Sequence, residues 1–514
     1  MRLEHEKELE TVALVGPRDD DGGGDDHSVK VDKVLGNGRY QLLSCVTCGL
    51  GVAAGSTEVM AIALALPMIE TEFEGEVLTW EKNLMASCIF LGMLLGGLSS
   101  GAVADLRGRK SCLIIFTAFI AVFGALTALA ESMSQVALFR FLAGLGIGGN
   151  IPALFSYVAE TTSSRVRGKY MTIVASHWML GSVITAALGW LILPRDVTLP
   201  YLNIGGWRLY FVVCILPAIL ACVLALAFLV ESPCYLIRRK KFLEAAGALE
   251  KIVAVNGNRH NDSLFLSELL GLLHSKHAGW SGTGDVLGAE GETLVGGMKH
   301  SAVLISQLLK AREQRKLVVV LGTVWFCLSA CWYGFMIWLP QFFEAQHDNV
   351  YLGNLVTSLG DLPGNVINFF IIDKLGRKNA LVLSMGASAV LPLAFAAVPK
   401  GSAFWAMLGS ASFGFVSVGA WNALSILSPE VFETRLRTTM HGILTALGRI
   451  GGFFGTYMVG HFEDQAQSGI WLPCMFASAV LALGLASTAF LPETKGKILT
   501  DYRVKGKYSG AESC

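Results

Sequence analysis

Charge is scarce in this chain: only 16% of its 514 residues are charged, and 40 acids cancel 40 bases to a formal net charge of zero. That balance supplies no bulk field for nucleic acid, so no nucleic-acid partner is expected. So few charges also cannot cover the surface of a soluble protein of this size. Phosphate-loop, zinc-ligand and nucleophile-elbow spacings are missing too. Their absence disfavours an ATP-driven pump, a metal centre and an enzyme, and no cofactor is expected. The eleven cysteines are scattered, mostly through apolar runs. The one CxxC, Cys45 to Cys48, lies inside such a run, where small-residue packing is the expected role. Cys514 forms no CaaX box. The start, MRLEHEKELE, lacks the apolar core of a signal peptide. Together with RDDDGGGDDH it reads as an acidic, Gly-rich disordered tail.

What is abundant is apolar surface: 53% hydrophobic residues, 57 glycines and a mean hydropathy of +0.54. A hydrocarbon core of roughly 30 Å takes about 20 apolar residues of helix to cross. Twelve such stretches occur, at 41–67, 83–104, 111–130, 134–159, 170–193, 208–230, 317–340, 350–372, 379–398, 402–427, 438–460 and 470–491. The expected fold is an all-α membrane protein with twelve transmembrane helices. Its expected parts are a tail at 1–40, a first half at 41–230, a linker at 231–316, a second half at 317–491 and a tail at 492–514. Two stretches of the linker, FLEAAGALEKIVAVNG and SLFLSELLGLLHSK, have the spacing of amphipathic helices. The Gly-rich stretch AGWSGTGDVLGAEGETLVGG, next along the linker, reads as flexible.

Lys and Arg crowd every second loop: DLRGRK, SSRVRGK, RRKK with KAREQRK, DKLGRK and ETRLR. The intervening loops, IETEFEGEVLTWEK, ESMSQ, PRDVTLPYLNIGGWR, FFEAQHDNVYLG, PKG and HFEDQAQSG, carry few. By the positive-inside rule the basic loops, and with them both termini, are expected in the cytoplasm.

One basic loop recurs. GAVADLRGRK follows the second apolar stretch and FFIIDKLGRK follows the eighth, so Asp105 matches Asp373, Gly108 matches Gly376 and Arg109 matches Arg377. A shared D-x-x-G-R-K six helices apart implies an internal duplication into two pseudo-symmetric six-helix halves. Asp and Arg at helix ends can pair, and Gly permits a tight reversal. The two knots are expected to form a latch, including Gly101, that holds the halves together on the cytoplasmic side.

The G-x-x-x-D-x-x-G-R-K pattern resembles the signature of the Major Facilitator Superfamily. RFLAGLGIGGNIPALFSYVAE, VESPCYL, SPEVFETRLR and LPETKGK resemble segments of its sugar-porter-like branch. Within that branch GSTEVM, DLPGNVINFF and LGRIGG resemble the synaptic-vesicle-2-related, niacin-transporter-like group. The resemblance implies a secondary transporter that works by alternating access. It adds Glu160, Arg167, Glu430 and Arg437 to the latch.

Ionisable groups inside spans are functional candidates because burying them unpaired costs several kcal/mol. Glu58 lies roughly 13 Å and Arg140 about 9 Å below the same face, so they are expected to pair and to carry proton coupling. Sugar-porter-like proton symporters resemble this pairing. Asp361 and Arg449 both lie roughly 17 Å deep, near the midplane. With Asn365, Trp332, Tyr333, Trp421, Asn422 and His177 they are the expected substrate site. The always-charged guanidinium of Arg449 grips carboxylates, and a comparable Arg marks anion carriers among related organic-ion transporters. The alternative is that Asp361 neutralises Arg449.

The expected function is therefore transport of a small organic anion, monocarboxylate-like, driven by protons. The competing readings are a sugar or organic-cation transporter and a non-transporting sensor or vesicle protein. Expected partners are the solute, protons and the lipid bilayer of the plasma membrane or a vesicle, with the chain as a monomer.

Overall fold

The structure is a computed structural model and describes residues 35–73, 79–195, 198–199, 204–257, 271, 312–346, 349–432, 437–465 and 470–495. Residues 1–34, most of the second linker helix, the Gly-rich stretch and residues 496–514 lie outside these, as do the side chains of Asp373 and Arg437.

Twelve long helices are present among the described residues. Spans 1 to 6 are Arg39–Glu72, Thr79–Arg107, Arg109–Thr127, Met133–Thr161, Ser164–Ile192 and Gly206–Phe228, the last interrupted at Ile215. Spans 7 to 12 are Arg312–Ala345, Val350–Leu375, Arg377–Ala396, Ala403–Glu430, Arg437–Gln465 and Trp471–Thr488. Among the described residues, eleven of these helices are long and apolar enough to cross a membrane. Span 11 is the exception, with Arg449 near the middle of its 29 residues among several glycines. The first span was expected to end near Pro67, yet its helix continues through Pro67 to Glu72. A membrane helix tolerates the proline because neighbours re-satisfy the freed backbone groups. A two-residue antiparallel pairing, Thr198–Leu199 with Ile204–Gly205, sits between spans 5 and 6.

In the linker, Phe242–Asn256 is helical, and its buried face (Ala245, Leu249, Ile252) packs with Leu35, Tyr40, Tyr235 and Leu236. This anchors the start of span 1 to the linker. The Tyr40 and Tyr157 hydroxyls lie 2.6 Å apart, and Asn256 Oδ1 accepts from the Tyr40 N–H at 2.9 Å.

Small residues bring spans 2 and 4 into backbone contact. A Cβ at Gly92 would land on the Phe141 carbonyl oxygen, and one at Gly96 on that of Leu145. From the other side, Gly144 meets the Ile89 carbonyl and Gly148 that of Met93. Gly144→Leu is expected to force these helices apart, at an overpacking cost of about 1–3 kcal/mol or more. Gly101→Ala, with no atom within 4 Å of the added carbon, is expected to be neutral. Thermal midpoints read by size-exclusion fluorescence after heating check both: a clear fall for the first, none for the second.

The two halves meet through spans 2 and 11, 5 and 8, and 1 and 7. Lys82 of span 2 bonds Glu463 of span 11 at 3.4 Å and Glu70 of span 1 at 3.3 Å, and lies over the Trp338 ring of span 7. Further in, Phe90 of span 2 packs on Gly452 of span 11 and its ring centroid lies 4.6 Å from that of Tyr333. At mid-depth Asn365 of span 8 donates to Ser176 of span 5 at 3.2 Å. The Lys82 and Phe90 contacts lie in the part of the bundle nearest the acidic loops between spans 1 and 2 and spans 11 and 12.

Candidate functional site

The duplicated knots have the same architecture in both halves. Gly108 and Gly376 take φ of +95° and +91° and precede spans 3 and 9. A side chain there would be strained, and a Cβ would also strike a carboxylate, Glu231 at Gly108 and Glu493 at Gly376. Each carboxylate caps the start of its helix. Glu231 Oε1 accepts from the Arg109 N–H at 2.7 Å and the Lys110 N–H at 3.0 Å. Glu493 accepts from the Arg377 N–H at 3.0 Å and the Lys378 N–H at 3.1 Å. Free N–H groups and the helix dipole both favour an anion there. A second acid then takes the Arg: Glu160 lies 3.1 Å from Arg109, and Glu430 lies 3.5 Å from Arg377. The hydroxyl after each capping acid closes the ring, Ser232 to Glu160 and Thr494 to Glu430. Asp105 bonds Arg109 at 3.1 Å, and Arg238 joins Glu160 at 2.8 Å.

In this structure these bonds run within each half. Every partner just named belongs to the same half as its Arg, or to the segment that ends it. The reason is the short loop: an Arg at a helix start reaches its own helix bundle first. Gly101 lies in span 2 with nothing within 4 Å and takes no part in the ring. Arg167 lies at the start of span 5, its guanidinium 3.5 Å from the Thr162 carbonyl. Glu231 and Glu493 were not singled out as site residues. Their signal is in the sequence, a Glu followed by Ser or Thr after the last span of each half.

Burial alone would push the Glu493 carboxyl up, but four backbone N–H groups outweigh it and hold the group below the usual carboxylate range. A depressed folded-state value means the cap stabilises above the unfolded-state value and is lost as pH falls through the folded one. Glu493→Gln is therefore expected to lower the thermal midpoint at about pH 7. The two proteins should converge as the pH drops below about 4. Parallel curves across that range would contradict the capping role.

Glu58 and Arg140 are both fully buried and adjacent, but they do not form the expected side-chain pair. Arg140 Nη1 donates to the main-chain carbonyl of Glu58 at 3.1 Å. The Glu58 carboxylate packs against Gly124 of span 3, beside Ile215 of span 6. Both its oxygens, and Nε and Nη2 of Arg140, lack a hydrogen-bond partner. Gly124 leaves the room that a side chain would have filled.

A second cluster lies between the halves. Span 7 contributes Trp325, Trp332 and Tyr333, span 10 Trp421, span 11 His441 and Arg449, and span 2 Phe90. Trp332 and Tyr333 centroids are 4.9 Å apart, and Trp421 lies 5.7 Å from Trp325, 6.1 Å from Trp332 and 6.0 Å from Tyr333. His441 stacks edge-on to Trp325 at 5.8 Å. Arg449 Nη1 donates to the Tyr333 hydroxyl at 3.1 Å. The indole N–H groups of Trp332 and Trp421, and His441 Nδ1, are buried without partners. Beside this box, Asn422 donates to Asn365 at 2.8 Å, and Asn365 reaches Ser176. Tyr333 and Trp332 are buried, while Arg449, Trp421, His441 and both amides are half-buried and so accessible.

The box thus holds Trp332, Tyr333, Trp421 and Arg449, with Asn365 and Asn422 alongside. It does not hold Asp361, whose carboxylate packs on Gly414 of span 10 instead of on Arg449. Equal depth fixes height in the bundle and leaves direction free. His177 is also apart: its Nδ1 lies 2.8 Å from the Ile173 carbonyl, and its ring packs on Gly49 of span 1. Trp325, Phe90 and Ser176 were missed, since an aromatic or serine in a membrane helix is ordinarily packing.

The sequence profile of the family described as "Sugar (and other) transporter" matches residues 50–505. Synaptic vesicle glycoprotein 2A of Homo sapiens is 24% identical over 90% of this chain and 78% of its own. Niacin transporter NiaP of Acinetobacter baylyi is 26% identical over 90% and 96%. Organic cation/carnitine transporter 7 of Arabidopsis thaliana is 27% identical over 91% and 94%. The inward open conformation of the xylose transporter XylE from E. coli superposes with a TM-score of 0.68 at 18% identity, covering 89% of this chain and 98% of that one. That likeness is one of fold.

Proposed function

The chain belongs to the sugar (and other) transporter family, a family of transporters rather than enzymes, and we propose that it carries a small organic anion, monocarboxylate-like, by proton-coupled alternating access. The observation that carries the anion is the chemistry of the box. Arg449, two unpartnered indole N–H groups and the Asn amides present donors. Among the described residues, no Asp or Glu touches the rings or the guanidinium. A planar carboxylate accepts two bonds from one guanidinium, and an aromatic body stacks on tryptophan. The niacin carried by one relative has this shape and charge. The other relative's organic cation would also stack in the box, but it would face Arg449 without an acid to balance it.

In this reading the basic end faces the cytoplasm. The contacts between halves near the acidic loops close the opposite side, and Arg449 is reached from the cytoplasm. Glu58 carries the proton. Loaded and neutral, it rests against Gly124; unloaded and charged, it swings to Arg140. That swing changes how spans 1, 3 and 4 pack and biases the equilibrium between open states. The capped knots keep each half rigid while the halves rock.

Uptake into proteoliposomes of labelled niacin, benzoate, glucose and a quaternary ammonium, with and without an inward proton gradient, tests the reading. Gradient-stimulated uptake of the carboxylates is expected. Uptake of glucose or the cation alone would contradict it.

A further inference from the structure

Asp361 is left without a role by the site above, and its surroundings assign one. It sits in the middle of span 8, is 4% exposed, and its Oδ1 is buried with no hydrogen-bond partner. The carboxylate is pressed against Gly414 in a close contact between spans 8 and 10. One turn away on one side, the Thr357 and Ser410 hydroxyls join the same two helices at 2.7 Å; on the other, Asn365 and Asn422 join them at 2.8 Å.

The groups on the helices around it do not supply a counter-ion. Spans 5, 7, 9 and 10 pack on span 8. Their charges stand towards the membrane ends: Arg165, Arg167 and Lys169; Arg315, Lys316 and Glu344; Arg377 and Lys378; and Glu430. Nearer mid-membrane the titratable groups are His177, bonded to Ile173, and Tyr333, bonded to Arg449. Cys327 and Cys331 turn towards span 12. Among the described residues, no cation lies within ion-pair distance of Asp361.

The duplication shows that the fold does not need an acid here. At the same distance before Asp105 as Asp361 stands before Asp373, span 2 has Met93. There the main chain of Met93 meets Gly148 of span 4, so the matching interface closes without an acid. A bare carboxylate in that place costs several kcal/mol, so an acid kept there is a candidate for function.

We propose that Asp361 is a second proton-carrying site, in the C-terminal half, whose loading sets how closely span 8 packs on span 10. A neutral acid fits against Gly414. A charged one seeks water and levers the helices apart at the point where Pro363 removes a helical hydrogen bond to the Leu359 carbonyl. Asn365, one turn on, then loses Asn422 and Ser176, and the contact between halves at mid-depth opens. The transport consequence rests on the function proposed above, while the proton site itself does not.

The test is labelling of the purified protein with dicyclohexylcarbodiimide, which adds to protonated carboxyls in apolar surroundings, read by peptide mass spectrometry. No solute is needed, so its outcome is separate from that of the uptake assay. An adduct on Asp361 is expected near pH 6, falling about tenfold per pH unit above its midpoint. Asp361→Asn and Asp361→Met, the second copying the other half, should fold and lose the adduct. In proteoliposomes that transport, both should carry fewer protons per solute. No adduct on Asp361 down to about pH 5, an adduct that does not change with pH, or an unchanged proton count in both variants would overturn the proposal.

Discussion

Arg449→Ala is expected to reduce carboxylate uptake and binding by about 100-fold or more while leaving the protein folded. Each hydrogen bond to a charged group is worth about 1.5–3 kcal/mol, and a bidentate carboxylate loses two, at about tenfold per 1.4 kcal/mol. The fold has little at stake. Arg449 is half-buried and its bond within the protein is to the Tyr333 hydroxyl, which can turn to water. Arg449→Lys keeps the charge and loses the planar fork, so uptake about tenfold below wild type is expected. A solute profile that shifts towards cations in Arg449→Ala would extend the account. Full activity in that variant would place the anion elsewhere.

Glu58→Gln has the second large effect, on coupling rather than on binding. For one proton per solute, a gradient of about one pH unit sustains about tenfold accumulation. The amide carries no proton, so gradient-driven accumulation should fall to what Asp361 alone sustains, about tenfold lower for each pH unit of gradient, while exchange of labelled for unlabelled solute continues. The variant should fold, since neither carboxylate oxygen has a hydrogen bond to lose and Arg140 holds the main chain. Accumulation undiminished in Glu58→Gln but lost in Asp361→Asn would move the coupling site to the C-terminal half. Accumulation undiminished in both variants would remove proton coupling from the account.

The span count and the duplication were legible in the sequence because membrane helices are set by length and apolarity, and D-x-x-G-R-K repeats at matching places. What the sequence could not convey was direction around a helix. Depth along the span put Glu58 level with Arg140 and Asp361 level with Arg449. Which way each carboxylate turns depends on where a neighbour leaves space, at Gly124 and Gly414. The knots show the same limit. Their residues were visible, but their partners, Glu231 and Glu493, come from the far end of each half. The box around Arg449 was partly legible, through WY and WN pairs in spans 7 and 10. Trp325 and Phe90 joined it only once spans 2, 7 and 10 were packed together.

The most direct test of the central claim is equilibrium binding to the purified protein of niacin and of its uncharged amide, in wild type and Arg449→Ala. The two ligands share a ring and differ in the group that Arg449 would hold. The account predicts that wild type binds the acid at least about tenfold more tightly than the amide, and that Arg449→Ala loses that preference. Equal binding of acid and amide by wild type, or a preference for the acid that survives in Arg449→Ala, would contradict it.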